Sequence, residues 1–210
     1  MRLLSINVGR PRLATFNSQT FSTAIYKTAV DGPVALRLHN LEGDRQASLD
    51  VHGGPNKAVY AYPSEHYGYW AEVLDRADLT PGQFGENFTT RGLVEDNVHI
   101  GDVFRVGSAS VQVTQPRVPC RNLAARMQDA GFPKVFLGSG RSGFYLRVID
   151  EGVVAAGDAI ERIAEDPARL SVRAIHTLRF VDTENKEAIR QAIAVEALSD
   201  EWRRELQAML

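Results

Sequence analysis

The sequence predicts a mainly β fold with added helices: a β-barrel or sandwich followed by a small three-helix module. Three observations carry this reading. Up to about residue 163, short apolar stretches recur between glycine turns, as in a barrel or sandwich. After Asp166-Pro167 glycine disappears and the apolar spacing becomes helical. Hydrophobic residues make up 44% of the 210-residue chain and charged residues 24%, a globular mixture able to bury a sizeable core.

The elements follow in chain order. Residues 3–8 read as a strand. Residues 23–28 and 34–38 read as a strand pair around the turn Asp31-Gly32-Pro33. Residues 57–62 read as a strand after the turn Gly53-Gly54-Pro55-Asn56. Ser64 can cap a helix over 65–74, with Glu65 in its first turn. Residues 98–100, 103–106 and 110–114 read as strands, separated by Gly101-Asp102 and Gly107-Ser108. Pro119 can start a helix running through Met127 and ending by Gly131. Residues 144–149 and 159–163 close the strand series. In the tail, Ser171, Thr183 and Ser199 can cap helices over 172–180, 184–194 and 200–209. The division falls near residue 165, giving a domain over 1–165 and a helical appendage over 166–210 that supplies no cofactor ligand; its removal near Glu165 should leave cofactor binding largely intact, provided the barrel stays soluble.

The formal net charge of −2 gives the chain as a whole no attraction for nucleic acid or an anionic membrane. An anion site must then be a local cluster of basic residues. The start of the sequence lacks the long apolar core of a signal peptide, and no run approaches a membrane span. One cysteine makes neither an internal disulfide nor a multi-cysteine metal cage. These features fit the cytoplasm.

That cysteine, Cys120, lies in Gln115-Pro116-Arg117-Val118-Pro119-Cys120-Arg121. Placed at a helix start between Arg117 and Arg121, its thiol is favoured as thiolate, the form that attacks or ligates metal. The alternative is a small buried hydrophobe. In Gly53-Gly54-Pro55-Asn56-Lys57, paired glycines can bring backbone N–H groups close to an anion, with Lys57 beside them. A tight turn explains the same residues. Asp50 and His52 share strand spacing, although a hydrogen-bonded turn histidine accounts for His52 as well. Gly85-Glu86-Asn87 offers groups that can bond a polar heterocycle or the backbone. The loop Gly138-Ser139-Gly140-Arg141-Ser142-Gly143 holds one arginine among small residues. Lys27 interrupts an apolar stretch and is a further candidate cation. The aromatic run Tyr60, Tyr62, His66, Tyr67, Tyr69, Trp70 reads as core around the first helix.

Together these stretches resemble the MOSC domain family, and within it the YiiM-like branch. The matching pieces include Ala24-Ile25-Tyr26-Lys27, Leu41-Glu42-Gly43-Asp44-Arg45-Gln46, Val51-His52-Gly53-Gly54-Pro55-Asn56-Lys57, Gly85-Glu86-Asn87-Phe88 and the Pro-Cys ending at Cys120. The helical tail resembles the three-helix module of that branch. The resemblance implies a MOSC-type barrel that binds the molybdenum cofactor (molybdopterin), with no pyridoxal phosphate. Cys120 maps onto the protein ligand to molybdenum, and a soft thiolate suits such a metal. Basic and glycine-rich segments, drawn from Lys27, His52, Gly53, Gly54, Lys57, Asn87, Arg117 and Arg141, would hold phosphate and pterin. The implied activity is reduction of small N-hydroxylated compounds, such as N-hydroxylated purine bases. A separate reductase supplies electrons, since the chain has no iron–sulfur cysteine set and no dinucleotide fingerprint. Two other classes stay open: a carrier of molybdenum cofactor or sulfur without turnover, and a cofactor-free thiol enzyme using Cys120 with His52 as base.

Overall fold

The computed structural model describes residues 1–47 and 53–210. Asp50 and His52 therefore lie outside the described residues. The main sheet has eight strands in the order β12 (Ile160–Ala164), β8 (Val103–Val106), β9 (Ala109–Pro116), β10 (Phe144–Asp150), β6 (Val59–Pro63), β7 (Phe88–Arg91), β1 (Arg2–Val8) and β4 (Thr28–Ala29). Every neighbouring pair is antiparallel except β6–β7. A parallel pair requires a crossover. Here residues 64–87 make it and carry helix α1 (Glu65–Val73). Two small sheets pair β2 (Arg12–Phe16) with β3 (Gln19–Thr23), and β5 (Val34–Leu36) with β11 (Gly152–Val154).

The expected barrel is not closed by strand pairing. The two ends of the sheet meet at one bridge, Arg2 to Ala159. Three backbone hydrogen bonds surround it: Leu3 N–H to Asp158 O (2.9 Å), Gly157 N–H to Leu3 O (2.7 Å) and Ile160 N–H to Met1 O (3.0 Å). The reason is local. β4 takes the far half of the same edge of β1, pairing Asn7 with Ala29 and Val8 with Thr28. Only the first residues of β1 remain for the distant segment. The fold is thus a mixed α/β structure around one large sheet.

The expected pairing of 23–28 with 34–38 is also absent. β4 joins β1, whereas β5 joins β11. Gly32, at φ +78°, turns the chain away rather than back on itself. Residues 98–100 form no strand; His99 makes a single antiparallel bridge to Ser171. The helix expected from Pro119 is α2 (Arg121–Met127), and a further helix, α3 (Phe132–Ser139), follows it. Gln128 ends α2 in the left-handed region, at φ 57°.

Two clusters make the interior. The smaller packs α1, α2 and α3 through Tyr62, Trp70, Phe84, Leu123, Phe132 and Phe136. Trp70 stacks on Phe136 at 5.5 Å and donates to Tyr62 Oη at 2.5 Å. The larger cluster joins the sheet to α4 (Val172–Phe180), α5 (Lys186–Ile193) and α6 (Asp200–Gln207). Ile175, Leu178, Ile189, Trp202 and Leu206 share it with Val98, Ile100, Val111 and Val113. The helical tail thus shares its core with the sheet. Ser171 and Ser199 cap α4 and α6 through bonds from Ala174 N–H (3.0 Å) and Trp202 N–H (3.3 Å). α5 is capped by Asn185 rather than Thr183. Among the described residues, no helix is long and apolar enough to cross a membrane.

Candidate functional site

β9 ends at Pro116, and the next four residues, without regular secondary structure, lead to Cys120, the residue that caps α2 by position. Its backbone is extended (φ −137°, ψ −179°), and its carbonyl receives Leu123 N–H (3.0 Å) and Ala124 N–H (3.3 Å). The half-buried Cys120 opens on a cleft with about 650 Å³ of empty space, part of it open to solvent. Lys27, Arg45, Lys57 and Arg117 line the same cleft, together with Asn87, Tyr60 and Tyr145. Four cations from separate segments therefore converge around the one thiol.

Arg117 is 5% exposed. Its guanidinium lies 5.2 Å from the Tyr60 ring and 5.4 Å from Phe136, cation–π distances. Burial opposes its charge, but the facing phenols Tyr60 and Tyr145 and the Cys120 thiol favour it, and the balance holds it above its usual range. Its Nη1 is buried with no hydrogen-bond partner among the described residues. A buried donor left unpaired costs about 1–3 kcal/mol, more when charged, so this atom calls for an acceptor from the cleft. Burial also pushes the Tyr145 phenol up to about 12, despite the opposing pull of Arg117. Tyr145 thus remains a proton-bearing donor at neutral pH.

Lys27 is the floor of the cleft. Its Nζ pairs with Asp44 Oδ1 at 2.5 Å, and burial lowers its pKa against the pull of that carboxylate. Asp44 also accepts Gly9 N–H (2.7 Å) and Asn87 Nδ2 (2.9 Å). Asn87 in turn donates to Asn7 O (3.2 Å) and accepts Tyr60 N–H at Oδ1 (3.2 Å). Both amide hydrogens of Asn87 are used inside the wall. It fixes the cleft's shape, with lone-pair capacity on Oδ1 left over.

The loop before Asn87 is held by Glu86. That buried carboxyl accepts Gly82 N–H (2.8 Å), Phe84 N–H (3.1 Å) and the Thr89 hydroxyl (2.9 Å), and it is bonded by Tyr67 Oη. Burial raises its pKa. Close approach explains the glycines here. A Cβ on Gly82 would meet Lys27 O at 2.7 Å, and one on Gly85 would meet Ile25 Cγ1 at 2.7 Å.

Lys57 ends a single 3₁₀ turn (Pro55–Lys57) and forms an ion pair with Glu201 in the first turn of α6. Gly54, at φ +94°, starts that turn and accepts Lys57 N–H at 3.0 Å. Gly53 and Gly54 shape this approach and do not line the cleft. Arg141 does not line it either. Its guanidinium sits 3.7 Å from the Tyr69 ring centroid, and its carbonyl receives Tyr62 Oη at 3.2 Å. Arg121 turns out over Phe21 at 4.3 Å. Asp44, Arg45 and Tyr145 were missed as site residues by sequence reasoning. The first two sit in the Leu41–Gln46 stretch that carries the family resemblance; Tyr145 had no local signal.

This is a mixed α/β protein with a cation-lined cleft built around one cysteine. A family model described as the MOSC domain matches residues 48–161, and one described as a YiiM-like, 3-alpha helix domain matches residues 170–210. The crystal structure of YiiM from Geobacillus stearothermophilus superposes with a TM-score of 0.85 at 39% identity, covering 100% of this chain and 98% of that one. The uncharacterized protein YflK of Bacillus subtilis is 41% identical over 96% of this chain and 90% of its own length. A protein named reductase from Gibberella moniliformis is 34% identical over 81% of this chain, which spans 30% of that longer protein. The chain belongs to the MOSC domain family, in the YiiM-like group that carries the three-helix domain.

Proposed function

We propose that the cleft binds the molybdenum cofactor and that the protein reduces N-hydroxylated compounds, N-hydroxylated purine bases among them. The carrying observation is the buried Arg117 Nη1, without a hydrogen-bond partner among the described residues, in the same cleft as Cys120. An anionic group supplies the acceptor that Arg117 lacks, and a soft thiol suits molybdenum. MOSC domains form a molybdenum-cofactor-binding family, and the relative named reductase favours redox turnover.

In this reading Cys120 ligates the metal, while Arg117 and Lys57 hold the phosphate. When bound, the cofactor would supply the two-electron redox chemistry. Lys27, fixed by Asp44, sets the positive floor of the cleft, and Asn87 keeps that floor in register with β7. Tyr145 stays protonated and can donate to an oxygen in the cleft. The net conversion is R–NHOH plus two electrons and two protons to R–NH2 plus water, with the electrons drawn from a separate reductase. We read the curled sheet as a MOSC-type barrel left open between β1 and β12, with residues 166–210 as the helical module of a cytoplasmic protein.

The test is metal and pterin content of protein made in a host that synthesises the cofactor, followed by turnover of an N-hydroxylated base with an artificial electron donor. Stoichiometric molybdenum with cofactor-dependent turnover is expected. Equal activity of the metal-free protein would point to Cys120 as a nucleophile instead. Bound cofactor without turnover, together with transfer to an apo-enzyme, would identify a carrier.

A further inference from the structure

The cations of the cleft are not equivalent. Lys27 is held at 2.5 Å by Asp44, a residue fixed by two further donors. Arg117 keeps a buried Nη1 without a hydrogen-bond partner among the described residues. Lys57 has a counterion of a third kind. Its partner Glu201 comes from the C-terminal helical module, and that carboxylate is 42% exposed while the lysine side chain is 13% exposed. Among the described residues, no strand-side donor fixes Glu201 as Gly9 and Asn87 fix Asp44.

The 3₁₀ turn that presents Lys57 does not depend on this ion pair for its position. Thr114 Oγ1 donates to Asn56 O at 2.7 Å, with Tyr145 O a second, longer acceptor for the same hydrogen at 3.1 Å, so β9 holds the turn. Ser199 N–H donates to Thr114 O at 3.2 Å, which brings the start of α6 alongside. Glu201 stands in the first turn of that helix, where a carboxylate is favoured with or without Lys57. It can therefore release the lysine at small cost.

We infer that Glu201 is a releasable counterion that tunes the anion affinity of the cleft: an anion entering beside Arg117 takes Lys57 over from Glu201. The inference rests on the anion-binding reading of the cleft. It gives the helical module a part in the site, as a competitor for one of its cations rather than as a ligand. By linkage, whatever Glu201 contributes to holding Lys57 is subtracted from the affinity of the incoming anion.

The probe is inorganic phosphate, titrated at constant ionic strength into the full chain and followed by backbone-amide NMR shifts. Four proteins are compared: wild type, Glu201→Gln, Lys57→Gln and the double variant. Glu201→Gln should bind phosphate roughly twofold to fivefold more tightly, the range expected of a partly exposed ion pair. In the Lys57→Gln background the same substitution should leave the affinity unchanged. Unchanged or weaker binding by Glu201→Gln, with the wild type binding normally, would overturn the counterion role alone, and so would equal tightening in both backgrounds. Absence of phosphate binding by all four proteins would overturn the anion-cleft reading and this inference with it.

Discussion

Asp44 joins three separate segments at one carboxylate, through Gly9 N–H, Lys27 Nζ and Asn87 Nδ2. Removing one member of a buried ion pair leaves an uncompensated charge and costs about 3–5 kcal/mol. Asp44→Ala should lose stability on that scale in urea unfolding. Lys27→Met should lose less, because the carboxylate retains two donors. Cys120→Ser should behave in the opposite way. The side chain is half-buried at the cleft, so stability should stay within about 0.5 kcal/mol of wild type, while molybdenum content and turnover fall away. Thermal unfolding and metal analysis on one preparation separate these outcomes. If Cys120 were only core, stability would fall and activity per folded molecule would survive. Lys27 and Cys120 were legible in the sequence as a cation in an apolar stretch and a lone thiol at a helix start. Asp44 as partner of Lys27 was not, because the pairing arises only when the loop after β5 folds back under Gly9.

At the scale of single elements, α4 carries a buried histidine. His176 Nε2 has no hydrogen-bond partner among the described residues, and its ring lies 5.1 Å from Phe180. Burial lowers its pKa, and Arg173 and Arg179 add to the effect while Glu95 opposes it. With the folded value below the unfolded one of about 6.5, the unfolded chain binds more protons across that window. Stability therefore holds above about pH 6.5 and falls as pH drops below it toward the folded value. Urea midpoints at pH 7.5 and 5.5 should show this loss, and His176→Gln should flatten the difference. At the N-terminus of the same helix, Ser171→Ala should cost about 1 kcal/mol by freeing Ala174 N–H. Elements with strong local punctuation were readable: α4 and α6 through their serine caps, β8 and β9 through the turn at Gly107-Ser108. The β2–β3 hairpin was not read, since its turn is Asn17-Ser18, with φ +49° and +61°, and lacks the glycine that usually marks such turns. Arg141 looked like a cleft residue because its loop is rich in glycine and serine. Its stacking on Tyr69 depends on where α1 packs, which no local pattern states.

Across the whole molecule, the composition shift at Asp166-Pro167 falls between β12 and α4, and it did not reveal that both sides fill one core. Helical spacing shows which face of α4, α5 or α6 is apolar and says nothing of what covers it. Trp202 is fully buried and meets Phe180 edge-on at 6.0 Å. Trp202→Ala should cost about 3–5 kcal/mol. Ending the chain after Glu165 should leave Val98, Ile100 and Val113 uncovered and give aggregated protein, as light scattering or sedimentation would show. The bridge from Arg2 to Ala159 has a consequence in time as well as in space. A ribosome delivers the first strand early, yet the stretch that meets its beginning emerges more than 150 residues later, and Trp202 and Leu206 later still. Contacts of such long sequence separation form slowly. The nascent chain therefore carries an unfinished sheet edge until residues 157–160 have been made, after every residue that lines the cleft, the last of them Tyr145. Chaperone demand should be greatest in that interval, while the edge of β1 still lacks its late partner.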